Sequence, residues 1–178
     1  MITRYSEHNI YKISPFWSLS DDDIREFHET GLEILSELLK KDSLSEYENT
    51  VLDALTQYSK CTLSRNPADK LINTLVALES LLLKDANEPI QQNLAERMAF
   101  LFKATSEERR AIKSSVLKAY SLRSSFIHHG KSIGIDELDI LQDFLIYAWT
   151  SFYALIHFTK TYSTKAEIFD KLEELKLS

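Results

Sequence analysis

From residue 20 onward, apolar positions recur every three or four residues, the period of helices that bury one face. Ser20-Asp21-Asp22-Asp23 places acids where a helix N-terminus favours them. Ile24, Phe27, Leu32, Leu35 and Leu39 then predict a first helix to about Lys41. Leu44, Tyr47, Val51, Leu55 and Tyr58 predict a second. Asn66-Pro67 puts proline at a first helical position. It opens a third helix to about Lys84, with Leu71, Leu75, Leu78 and Leu82 on one stripe. Asn87 and Pro89 open a fourth, striped by Ile90, Leu94, Met98 and Leu101. Thr105-Ser106-Glu107-Glu108 has the capping-box pattern. It opens a fifth helix that ends near His128-His129, with Gly130 just past it. Asp136-Glu137 starts a sixth, apolar almost all round through Phe158, and Ala166 to Leu177 form a short seventh. Short connections predict an all-α, up-and-down bundle of six to seven helices in a single domain, 1–178. Residues 1–20, with Tyr5, Tyr11, Phe16 and Trp17 but no clear period, read as an arm packed on the body. Residues 21–62 hold the N-terminal helices and 161–178 the C-terminal one.

Composition agrees with helices. A chain of 178 residues, 44% hydrophobic and 27% charged, can bury roughly 70% of its extended surface. It has only three glycines and three prolines. Strand-rich folds need those residues in their turns. No glycine-rich phosphate loop is present, which excludes the dinucleotide and P-loop classes. The single cysteine, Cys61, excludes a disulfide framework and a cysteine-based zinc site. No metal and no cofactor are expected. The first seventeen residues contain no apolar signal core. The longest uncharged run, Phe144 to Thr159, falls short of a membrane span and reads as a buried helix. The expectation is a soluble, cytoplasmic protein with no membrane partner.

The net charge of −6 speaks against nucleic acid, but the charge is unevenly spread. Residues 103–131 carry Lys103, Arg109, Arg110, Lys113, Lys118, Arg123 and Lys131 against Glu107 and Glu108. Such an island is an anion-binding surface or a solvated helix face.

Three charges fall on apolar faces. Glu79 has Leu75, Val76, Leu82 and Leu83 as helical neighbours; Arg97 has Leu94, Phe100 and Leu101; Arg123 has Ala119, Tyr120, Phe126 and Ile127. Charges in such places are paired. The expectation is a buried cluster with Glu79 bonded to Arg97, Arg123 or both, and a Glu79–Arg97 pair would be structural. Lys118, Ser121, Ser125 and His128 form a small polar stripe open to a close-approaching backbone or ligand. On spacing alone, His128 and His129 are a C-terminal cap favoured by the helix dipole.

Three strings lie in order on the third, fourth and fifth helices. They are Ala77-Leu78-Glu79-Ser80-Leu81-Leu82, Leu94-Ala95-Glu96-Arg97-Met98-Ala99, and Ala119-Tyr120-Ser121-Leu122-Arg123-Ser124-Ser125-Phe126-Ile127-His128-His129-Gly130-Lys131. Together they resemble the Apea-like branch of the HEPN family, over residues 66–160. The family signature is an arginine, four to six intervening residues and a histidine near the end of one helix. Arg123 and His128 leave four, and His129 would leave five. The family often has Asn, Asp or His directly after the arginine; here it is Ser124.

The resemblance implies a homodimer about the signature helices. It also implies, as in many members, a metal-independent endoribonuclease of the toxin or antiviral-effector type. In that chemistry the ribose 2′-OH attacks the adjacent phosphorus and leaves a cyclic phosphate. An imidazole can move the proton, and a guanidinium can hold the phosphate oxygens. Arg123 and His128 would be catalytic, with Ser124, His129, Tyr120, Glu79 and Arg97 supporting. Arg109, Arg110, Lys113, Lys118 and Lys131 would track RNA. A protein antitoxin or regulator would be a further partner. Other HEPN proteins are not nucleases; they are scaffolds, nucleotide binders or partners of nucleotidyltransferases.

Five residues along a helix turn it about 500°, so Arg123 and His128 stand about 140° apart and about 7.5 Å along the axis. A long arginine side chain, a loosening of the helix before Gly130, or a two-fold dimer setting one chain's histidine by the other's arginine would join them.

Overall fold

The computed structural model describes residues 20–22, 24, 25, 31–85, 87–102 and 105–177. Among them the chain forms an all-α bundle of seven helices with no strand. These are α1 (Leu32–Leu38), α2 (Glu46–Leu63), α3 (Pro67–Leu82), α4 (Ile90–Phe100), α5 (Ser106–His129), α6 (Leu138–Phe158) and α7 (Lys165–Leu177), with a 3₁₀ turn, Ile135–Glu137, leading into α6.

The helix starts are set by local side chains. Ser45 and Glu48 close a capping box on α2, and Thr105 and Glu108 close one on α5. The Asn66 carboxamide accepts from the Ala68 N–H, with Pro67 at the first helical position of α3. Gly130 ends α5 in the left-handed region, φ 63°, and its N–H reaches the Phe126 carbonyl.

Helix α3 is the hub. Its stripe of Leu71, Leu75, Leu78 and Leu82 is fully buried. It packs against α2, α4, α5 and α6, while α5 also packs on α4 and α6. From α6 come Phe144, Phe152 and Leu155, and from α7 Ile168 and Leu172. The Tyr47 hydroxyl donates to the Leu155 carbonyl at 2.9 Å and ties α2 to α6. Burial pushes that phenol above its ordinary range, so it remains a donor.

Two expectations are corrected. The first helix does not run unbroken to Lys41. Gly31 sits at φ 90°, in the left-handed region, and α1 starts just after it. Ile34 and Leu38 are buried, whereas Leu32 and Leu39 are exposed. Helix α6 is not buried all round: Leu138, Ile146, Trp149 and Tyr153 are exposed, and their spacing puts them within about 80° of one another on one face. Phe27 and the arm residues Tyr5, Tyr11, Phe16 and Trp17 lie outside the described residues. No helix among those described is long and apolar enough to cross a membrane.

Candidate functional site

The C-terminal half of α5 gathers most of the singled-out residues. Tyr120 points inward and is almost fully buried. Its hydroxyl donates to Glu79 Oε1 on α3 at 2.7 Å. Burial first, and then that bond, hold the phenol well above the ordinary tyrosine range, so at physiological pH it is a neutral donor. Arg123 lies one turn further on. Its Nη1 is 4.0 Å from the same Glu79 oxygen, and its guanidinium carbon is 5.9 Å from the centre of the Tyr120 ring. The Arg123 side chain is 33% exposed, and its Nε is shielded from solvent with no hydrogen-bond partner.

The expected cluster therefore exists in altered form. The bond that Glu79 makes is to Tyr120, and Arg123 stands beyond hydrogen-bond range. Arg97 takes no part. It is buried and grips Glu88 with both terminal nitrogens, Nη1 to Oε1 at 2.6 Å and Nη2 to Oε2 at 2.8 Å. It also donates to the Leu82 carbonyl at 2.6 Å and lies 4.7 Å over the Phe169 ring. Those hydrogen bonds hold the Glu88 carboxyl below the usual carboxylate range. Arg97 is thus a staple joining α4, the connection after α3, and α7.

Arg123 also fails to point into the core; a third of it is exposed because Glu79 sits at the margin of α3, with its own side chain 20% exposed. His128, His129 and Ser124 are exposed on α5. The helix stays regular through His129, so no loosening swings His128 round to Arg123. The two side chains leave opposite sides of one helix, about 140° apart.

The basic residues do not form one face. Arg109 and Lys113 lean on Phe100 of α4, at 4.6 Å and 5.5 Å from its ring centre. Lys118 stands half a turn away from Arg109, on the side of α6. Lys131 is tied to Glu137 at 2.7 Å. Arg110 is exposed, and Lys103 lies outside the described residues.

Beside Lys118 the packing of α5 on α6 leaves a cavity of about 310 Å³, lined by Ser115, Asp143 and Tyr147 among others. The sequence reading passed over these three. The signal was a Ser114-Ser115 pair in mid-helix, facing Asp143 and Tyr147 across a helix pair whose register only the fold sets.

Comparison with protein-family models, with curated proteins and with solved structures finds no match.

Proposed function

We propose that this chain is a HEPN-type, metal-independent endoribonuclease that acts as a homodimer. The observation that supports it most is the state of Arg123. Tyr120 and Glu79 lie under its guanidinium, yet neither uses up its donors, and the group reaches the surface. A cation held in place with unspent N–H groups is suited to an anion, and a phosphate accepts its planar fork.

In this reading His128, exposed on the last turn of α5, takes the proton from the ribose 2′-OH. The O2′–P bond forms, the P–O5′ bond breaks, and the departing 5′-oxygen collects a proton. Arg123 stabilises the charge on the non-bridging oxygens. Because one helix separates the two residues, the working pair is Arg123 of one protomer and His128 of its partner. The exposed apolar face of α6 is the surface for that second copy.

The separation of Arg123 and His128 in a single protomer also favours a second reading. In it the chain is a non-catalytic HEPN interaction or nucleotide-binding module, a partner of a nucleotidyltransferase or of a protein regulator.

A single-turnover assay with RNA and the matching DNA, with and without EDTA, separates the two. The nuclease should cut RNA alone, keep its rate in EDTA and leave a cyclic phosphate. His128→Ala should lower the rate about 10²–10⁴-fold with little loss of RNA binding. Arg123→Lys should not rescue Arg123→Ala, because an ammonium lacks the fork. DNA cleavage, a metal requirement or full activity in His128→Ala would overturn the proposal, and no cleavage of any RNA would leave the module reading.

A further inference from the structure

The end of α3 meets the start of α7 in a cluster of three cations. Lys84 Nζ, the Arg97 guanidinium carbon and Lys165 Nζ stand 5.4, 4.7 and 5.7 Å from the centre of one ring, that of Phe169. An aromatic face attracts a cation, but three cations around it repel one another. Arg97 is answered by Glu88. Lys165 has no carboxylate within ion-pair distance among the described residues, whereas Lys41, Lys131, Lys171 and Lys176 each hold one. It is also the first residue of α7, where the helix dipole disfavours a positive charge.

Lys165 is half-buried, and its Nζ donates to the Ser80 carbonyl at 2.6 Å. The side chain lines a cavity of about 370 Å³ together with Glu46, Lys84, Ala166, Phe169 and Asp170. Lys84, Ala166 and Asp170 are exposed, so the cavity opens to solvent. The charges around the amine are Glu46 from α2, Lys84 and Glu88 from the connection after α3, Arg97 from α4 and Asp170 from α7 itself. Burial is the main cause that holds the amine below the ordinary lysine range. Arg97 acts in the same direction, and Glu88 and Glu46 act against it.

A neutral amine is a nucleophile and an ammonium is not. In the neutral form one N–H keeps the Ser80 carbonyl, and the nitrogen lone pair is left to the cavity. An amide nitrogen at the same place also keeps one N–H for Ser80, and it carries no charge to crowd Lys84 and Arg97. Ala166 and the Phe169 ring give a short acyl chain an apolar wall. Lys84, exposed on the rim, meets the anionic end of a donor.

We propose that Lys165 is a covalent acylation site, whose amine takes a small acyl group from an acyl phosphate. The nitrogen attacks the acyl carbon and the C–N bond forms. The C–O bond to the phosphate breaks, phosphate leaves with that electron pair, and the nitrogen gives up a proton to water. The site does not depend on RNA cleavage.

The test is competitive labelling of the folded full chain with a trace of isotopic acetyl phosphate from about pH 7 to 11, read lysine by lysine by mass spectrometry. Lys171 is the internal standard, because it shares α7 and its bond to Glu174 holds its amine above the ordinary range. At about pH 8 Lys165 should take label at least about tenfold faster than Lys171, since each unit between two pKa values is tenfold in free amine. It should also outpace the exposed Lys118, and its labelling should level off at a lower pH than that of Lys171. The advantage should vanish in the urea-unfolded chain. Lys84→Gln should slow labelling of Lys165 by acetyl phosphate several-fold and leave labelling by uncharged acetic anhydride unchanged. Labelling of Lys165 no faster than that of Lys118, or an advantage that persists in the unfolded chain, would overturn the site. An equal effect of Lys84→Gln on both reagents would overturn the acyl phosphate as its donor.

Discussion

Arg97 shows how a single residue chooses between structure and chemistry. It has a bidentate carboxylate, a carbonyl and an aromatic face around it, so it has nothing left to offer a substrate. Removing either partner strands the other charge in a buried place. Arg97→Ala or Glu88→Ala should therefore cost about 3–5 kcal/mol in urea unfolding. Glu88 also makes stability depend on pH. Its folded carboxyl is held below the unfolded value of about 4.3, so its contribution is complete above that pH. The contribution fades as the pH falls through the lowered folded value, and the stability gap between the protein and Glu88→Gln should narrow over that acid range. Tyr120 makes the opposite case. Its hydroxyl fixes the Glu79 carboxylate beside Arg123. Tyr120→Phe should destabilise by about 1–3 kcal/mol, since the bond it removes is to a charged group. It should also slow RNA cleavage, if the chain cleaves, by letting Arg123 turn toward Glu79. Equal cleavage rates with that loss of stability would mean that Tyr120 does not hold Arg123 in place.

At the scale of elements, what could be read from the sequence was what is local. The α5 cap needs only Thr105 and Glu108, three residues apart, and the α3 stripe needs only the helical period. Gly130 was legible for the same reason. At φ 63° an added Cβ would meet nothing within 4 Å, so the backbone alone carries the cost. Gly130→Ala should destabilise by about 1 kcal/mol in thermal unfolding, the left-handed penalty less the entropy that alanine removes from the unfolded chain. The first helix misled because its stripe was counted across Gly31, which lies in the left-handed region just before α1 starts. The partner of Arg97 misled because Glu88 lies in the connection between α3 and α4, where no periodicity says which way a side chain turns. Glu79 shared an apolar helical environment with Arg97 in the sequence, and only the path of that connection brings Glu88 closer. The α5–α6 cavity was invisible for a related reason. Ser115 and Asp143 are 28 positions apart, and their meeting depends on the register of two packed helices.

The whole molecule raises the question of how many copies make a site. One protomer holds Arg123 near α3 and His128 on another side of α5, with a regular helix between. With the helix regular, only the reach of the arginine side chain or a second copy can bring both residues to one phosphorus. In the proposed two-fold dimer the second copy would do so, because each interface residue then faces a different residue of its partner. The exposed stripe of Leu138, Ile146, Trp149 and Tyr153 runs along α6, the helix packed next to α5. Trp149→Glu should therefore give a monomer by light scattering while the fold survives, since Trp149 is half exposed and its ring stacks against Tyr58. The decisive experiment mixes two dead variants. If the site is shared, a dimer of one Arg123→Ala chain and one His128→Ala chain contains one site with both residues intact. Random exchange makes half the dimers mixed, and each mixed dimer has one working site of two. An equimolar mixture should thus recover about a quarter of the unmutated rate. If the two residues act within one chain, every site in the mixture lacks one of them and the mixture stays as inactive as its parts.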